Sequence, residues 1–84
     1  MPDERSPVQH AIAMRRVDPD TNVARFYVLT LERDLFGEFT VTRQWGKVGT
    51  TGRVLTEPFE TELDAAEAMG RLAAVKRRRG YRDL

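Results

Sequence analysis

The residues best suited to recognition chemistry fall in one segment, Trp45-Gly46-Lys47-Val48-Gly49-Thr50-Thr51-Gly52-Arg53, with Arg43 two residues ahead of the tryptophan. Trp45 is the chain's single tryptophan. An exposed indole is a stacking surface for a base or sugar, worth about 1–3 kcal/mol per base; a packed one is core or rim. Arg43, Lys47 and Arg53 set positive charge around it, suited to phosphate oxygens, and a glycine-rich backbone can add N–H donors. The same three charges also fit a solvated hairpin. The spacing W-G-x-x-G-x-x-G is neither a Walker loop nor a dinucleotide fingerprint, so the glycines are assigned to tight-turn geometry. A second basic group, Lys76, Arg77, Arg78 and Arg79 with Arg82 beyond, lies near the C-terminus. Cations complement the end of a helix, but four in a row exceed that need and read as an electrostatic patch for phosphates. Arg15 or Arg16 would add phosphate contacts; Arg25 and Arg33 read as solvated strand charges.

Catalytic chemistry has no comparable set. The single histidine, His10, reads as a half-buried strand residue. The carboxylates Glu57, Glu60, Glu62, Asp64 and Glu67 have no histidine or serine beside them to complete a nucleophile–base–orienter arrangement. The absence of cysteine excludes disulfides and thiolate metal sites and points to a reducing, cytoplasmic setting. One histidine cannot build a structural zinc site. No metal and no small-molecule cofactor is expected. No apolar run approaches the roughly 18 residues a membrane span needs. Residues 1–7, polar and holding two prolines, read as a flexible lead-in rather than a signal peptide. A net charge of +1 does not by itself imply a nucleic-acid partner. With 84 residues, 40% hydrophobic and 32% charged, the chain has the composition of one folded domain with a thin core. It reads as a binding domain, not an enzyme.

The elements that must position these residues follow from periodicity. Val8 to Val17 reads as a strand, and Asp18-Pro19-Asp20-Thr21-Asn22 as a loop by its turn chemistry. Ala24 to Arg33 (ARFYVLTLER) is rich in β-branched and aromatic residues, with Tyr27, Leu29 and Leu31 on one face and Phe26, Val28 and Thr30 on the other. Asp34-Leu35-Phe36-Gly37 connects it to a strand over Glu38 to Trp45, where Phe39, Val41, Arg43 and Trp45 share a face. This alternation predicts an antiparallel sheet with one covered and one wet side. Arg53 to Phe59 is a fourth strand, with Pro58 near its end. From Thr61 the period becomes helical: a Thr61/Asp64 capping pair, acids early and bases late, a stripe of Ala65, Ala66, Met69, Leu72 and Ala73, and Gly80 as terminator. The predicted fold is α+β, an antiparallel sheet of about four strands with one C-terminal helix packed across it over residues 8–84.

Arg25 to Tyr81 resembles the WGR domain, named for a Trp-Gly-Arg motif that stands here as Trp45-Gly46-Lys47, followed by Val48-Gly49 and Gly52. The Phe26-Tyr27-Val28-Leu29 strand, the Gly37 hairpin, Phe59 before an alanine-rich helix, and Arg79-Gly80-Tyr81 at the close complete the pattern. The arginine of the family name is Lys47 here, which keeps the charge and loses the planar, bidentate donor. WGR domains occur in DNA-break-sensing poly(ADP-ribose) polymerases and as short bacterial proteins. The resemblance implies a non-catalytic module, with Trp45 as a platform for a DNA end and Lys47 at a position used to bridge neighbouring domains. Two functions follow as expectations. One is a nucleic-acid-binding module for duplex DNA or a strand end, or RNA, in which Trp45 stacks and Arg43, Lys47, Arg53, Lys76, Arg77, Arg78 and Arg79 meet phosphates. The other is an adaptor that docks on a separately encoded protein through the same surface.

Overall fold

The computed structural model describes residues 8–84; the expected lead-in over residues 1–7 lies outside them. The chain runs β1 (Val8–Val17), β2 (Ala24–Arg33), β3 (Phe39–Lys47), β4 (Arg53–Phe59), α1 (Glu62–Arg78) and β5 (Arg82–Asp83). The strands form one antiparallel sheet in the order β4-β3-β2-β1-β5, and α1 packs across one face. The predicted class, α+β with the helix on an antiparallel sheet, is the fold observed.

Each connection has a local cause. After β1, the Asp18 carboxylate accepts from the Asp20 N–H at 2.9 Å, and Asn22 takes a left-handed φ of 56°, as short polar side chains tolerate. After β2, the Asp34 carboxylate accepts from the N–H groups of Phe36 and Glu38, both at 2.9 Å. Before α1, Thr61 accepts from the Asp64 N–H at 3.1 Å, half of the predicted capping pair. After α1, Gly80 has φ 95°, and the N–H groups of Tyr81 and Gly80 reach the Lys76 and Arg77 carbonyls, each at 3.1 Å. That pair of bonds is a Schellman ending.

The covered face holds the core. Cross-strand register aligns Ile12 with Leu29 and Met14 with Tyr27, and Leu31 with Val41 and Tyr27 with Trp45. Met14, Leu29, Leu31, Ala65 and Ala73 are fully buried, with Tyr27, Val41 and Met69 nearly so. The helical stripe differs from expectation at one step: Ala68 is buried and Ala66 exposed, because the stripe drifts at 3.6 residues per turn and Ala68 falls between Ala65 and Leu72. His10, expected half-buried, is exposed and stands 3.9 Å from Glu62; it lies where β1's register shifts, at the margin of the sheet. Two further features extend the prediction. β3 continues through Gly46 to Lys47, and β5 adds a two-residue strand against Met14 and Arg15, too short to leave a periodic signal. β5 is latched by an Arg77–Asp83 bidentate pair at 2.7 and 2.8 Å. Among the described residues, no helix is long and apolar enough to cross a membrane.

Candidate nucleic-acid interface

The motif hairpin is built on two glycines that allow its strands to close. Trp45 and Arg53 are paired at its base. A Cβ on Gly52, at φ 71°, would lie 2.1 Å from the Trp45 carbonyl oxygen, and one on Gly46 would lie 2.9 Å from the Gly52 Cα. No real side chain fits at either point, so the tight-turn reading of these glycines accounts for them. The loop is tied down at three places: Thr50 Oγ1 donates to the Lys47 carbonyl at 2.7 Å, the Gln44 amide to the Thr51 carbonyl at 2.8 Å, and the Val48 N–H to the Ala24 carbonyl at 2.9 Å. Trp45 is thus carried on a braced strand rather than a free loop.

Successive strand residues alternate faces, so register decides what surrounds Trp45. Tyr27 lies opposite it on β2, its ring 6.5 Å away and tilted by 38°. Arg53 lies opposite it on β4. Arg43, two residues back on the same face, holds its guanidinium 6.0 Å from the indole centroid. Two residues on, Lys47 pairs with Arg25, and Arg25 pairs with Arg16; the Arg16 side chain reaches to 3.8 Å of where a Gly80 Cβ would be, beside the end of α1. The helix supplies the other wall. Lys76 extends over Tyr27 at 4.8 Å and Tyr81 at 5.5 Å, and the two tyrosine rings meet edge-on at 6.1 Å.

Between these walls lies a groove of about 300 Å³ lined by Tyr27, Arg43, Trp45, Leu72, Val75, Lys76 and Arg79. Three of its seven lining residues are cations and none is a carboxylate. An acid does stand next door: Glu57 lines the adjoining hollow together with Arg43, Leu72 and Val75, while Asp83 is held by Arg77 and Asp18 by its own turn. Burial pushes the Lys76 ammonium below its ordinary range, and the positive charges of Arg79 and Arg43 push it further the same way. Burial raises the Tyr27 hydroxyl, against the opposing pull of Arg43. Such a set of unneutralised cations around an aromatic floor suits an anionic ligand with a flat part, stacked on Trp45 and held at its phosphates.

The structure divides the C-terminal basic group. At about 100° per residue, Lys76 and Arg79 fall on the side of Leu72 and Val75 and reach the groove. Arg77 turns to the opposite flank, where Asp83 both accepts its hydrogen bonds and raises its already high basicity. Arg78 is exposed and stands apart from the groove. Arg43, Trp45, Lys76 and Arg79 come together in the groove, Arg53 and Lys47 stand at its margin, and Arg77 and Arg78 do not join them. From sequence alone Arg25 reads as a solvated charge, and neither Tyr27 nor Tyr81 is placed at the site; Tyr27 is a core residue, 3% exposed, that also lines the groove. Counting back from the Asp34–Gly37 turn would have put Arg25 opposite Lys47, but Tyr81 reaches the site only through the helix ending.

The WGR domain family model matches residues 10–84. Over 73 residues the chain is 38% identical to the uncharacterized protein y4dW of Sinorhizobium fredii (strain NBRC 101917 / NGR234), an alignment covering 87% of this chain and 36% of that protein. The chain therefore spans about a third of the length of that curated relative. No solved structure matches it. The family match takes in both walls of the groove, the motif hairpin and the helix end, and on that match the chain belongs to the WGR domain family.

Proposed function

We propose that this chain is a non-catalytic nucleic-acid-binding module that holds duplex DNA, or the end of a strand, through backbone phosphates, with Trp45 stacked on a terminal base or sugar. The observation that carries this reading is the carboxylate-free groove in which Arg43, Lys76 and Arg79 surround the Trp45–Tyr27 floor. Arg53, Lys47, Arg25 and Arg16 extend the positive surface along the sheet. Membership of a family whose domains bind nucleic acid in DNA-break-sensing polymerases supports it. Among the described residues no helix but α1 is present, and it packs across the sheet, so affinity is expected to depend on salt and shape rather than base sequence. The lysine in place of the motif arginine still supplies a charge for phosphate, as a point rather than a fork.

The test is a titration with labelled duplex, read by anisotropy and by Trp45 fluorescence, comparing blunt 5′-phosphorylated ends with a hairpin-capped duplex at several salt concentrations. The expected result is a preference for open ends, quenching of Trp45, and a log–log salt slope of about −0.9 per phosphate engaged. Trp45→Ala weakens binding by about 1–3 kcal/mol, roughly fivefold to 150-fold, in a protein whose fold is checked by circular dichroism. Salt-independent binding, or affinity unchanged in Trp45→Ala, overturns the reading. The second reading, an adaptor docking on a separately encoded protein through Trp45 and Lys47, is favoured by the net charge of only +1 and by the apolar Leu72 and Val75 in the groove wall. No binding of duplex at low salt, with a discrete protein retained after nuclease treatment, selects it.

A further inference from the structure

We propose that β4 is a self-pairing edge: two copies of this chain join antiparallel along β4, about a two-fold axis through Leu55, into one continuous ten-stranded sheet. β4 closes one side of the sheet, and among the described residues no strand covers its outer row of N–H and C=O groups. Such an edge is a template for a further strand. On the opposite side the two-residue β5 pairs only with Met14 and Arg15 of β1, so that edge is a broken one, divided between β5 and the first part of β1. β4 is seven residues long, every residue from Arg53 to Pro58 is exposed, and the exposed set includes Val54 at 58% and Leu55 at 45%. Pro58 removes a donor only near the strand's end, leaving Arg53-Val54-Leu55-Thr56-Glu57 as an uninterrupted run.

That run is complementary to itself in one register. A two-fold axis perpendicular to the sheet keeps each residue on its own face, so paired positions must have the same parity, and the axis passes through a residue. Centred on Leu55, the pairs are Leu55 with Leu55, Val54 with Thr56 and Arg53 with Glu57, the last two formed twice. Centred on Val54, Arg53 meets Leu55; centred on Thr56, Leu55 meets Glu57 and Arg53 meets Phe59. Only the Leu55 register sets the opposite charges against each other, which is the favourable arrangement for cross-strand pairs. Among the described residues neither Arg53 nor Glu57 has an ion-pair partner. Arg53 and Glu57 lie on the helix-bearing face, opposite Trp45 and Val41, where inward-side charges can blunt an edge; against a second copy their opposite signs, symmetric about Leu55, make them attractive instead. An isologous contact of this kind closes at two copies. A paired strand of this length buries little area by the standard of stable complexes, so the dimer is a weak, concentration-dependent one. Strand spacing and rise place the two Trp45 residues about 20 Å apart, on the same face of the joined sheet.

Sedimentation without nucleic acid, over a wide concentration range, tests this whether or not the groove binds DNA. The wild type is expected to show a monomer–dimer equilibrium. Arg53→Glu and Glu57→Arg should each weaken it by roughly tenfold or more, by setting like charges opposite each other, and the double variant R53E/E57R should restore it. As a second measurement, Leu55→Cys supplies the chain's only cysteine at the axis, within reach of its twin for a disulfide, whereas two Val54→Cys residues are diagonal and beyond about 7 Å. Rapid cross-linking of Leu55→Cys but not Val54→Cys supports the register. A wild type that stays monomeric at the highest concentration, a double variant no better than the singles, or equal cross-linking at both positions overturns the proposal.

Discussion

Replacing Gly52 by alanine should damage the motif hairpin far more than the same change at Gly49, although both glycines have positive φ, 71° and 94°. Both substitutions force an L-residue into left-handed territory, at a cost of about 1–2 kcal/mol. At Gly49 nothing lies within 4 Å of the new Cβ, so strain is the whole effect. At Gly52 the Cβ would lie 2.1 Å from the Trp45 carbonyl oxygen, 2.8 Å from its carbon and 2.9 Å from the Phe26 ring. Two of those three atoms belong to the backbone of the paired strand and cannot rotate away. The hairpin must open by about 1 Å, and overpacking of this kind adds about 1–3 kcal/mol. G52A is therefore expected to cost about 2–5 kcal/mol in all, against a global stability of about 4–12 kcal/mol for a chain of this length. Urea denaturation followed by Trp45 fluorescence reads both variants. With a slope of about 1 kcal/mol/M for a small domain, the G52A midpoint falls by roughly 2 M or more and the G49A midpoint by about half of that. Equal midpoints for the two variants would refute the argument that backbone approach, rather than conformational freedom alone, requires glycine at position 52.

The division of the C-terminal basic group gives a second prediction. Arg79→Ala should weaken duplex binding and flatten the salt slope by about 0.9, whereas Arg77→Ala should leave the slope unchanged and instead lower the thermal midpoint. That loss has a pH signature, because the hydrogen bonds and charge of Arg77 hold Asp83 below its ordinary value of 3.8. The latch is present above 3.8 and vanishes as pH falls through the lowered value, where wild type and R77A should melt alike. A third prediction concerns Lys76, whose ammonium is held below 10.5 by burial and by Arg79 and Arg43. Folding disfavours its charged form, so the free protein gains stability from this group as pH rises through the lowered value. The complex needs the charge, so anisotropy should show affinity falling over the same rise. Lys76→Arg, charged throughout, should remove that fall.

How much was legible before the structure depended on how local each signal was. Alternation in Ala24–Arg33 and in the strand from Phe39 disclosed β2 and β3 with their faces, because a period of two survives in a single strand. Thr61 and Gly80 disclosed the helix limits, because caps act within a turn of the residue concerned. β5 was invisible, since two residues carry no period and its pairing partner Met14 is far off in sequence. The groove was only half legible. Arg43 and Trp45 share a strand face and were found together; Lys76 and Tyr81 reach the same place only because α1 crosses the sheet and ends there. The unity of Lys76 to Arg79 was misleading for the same reason: adjacency in a helix sends side chains to different flanks, and one of the four ended at Asp83.

The groove draws its cations from both layers, Arg43 from the sheet and Lys76 and Arg79 from the helix. Without a ligand these like charges oppose one another across the two layers, adding to the burial that chiefly lowers the proton affinity of Lys76. An anion seated there therefore acts as mortar between helix and sheet. Binding to the folded form alone stabilises by about 2.7 kcal/mol at a hundredfold excess over Kd, which in a domain of this size raises the melting temperature by roughly 10–20 °C. The fold thus reports its own occupancy. A melting curve taken beside a panel of polyanions ranks candidate ligands by how firmly each one fastens the helix to the sheet.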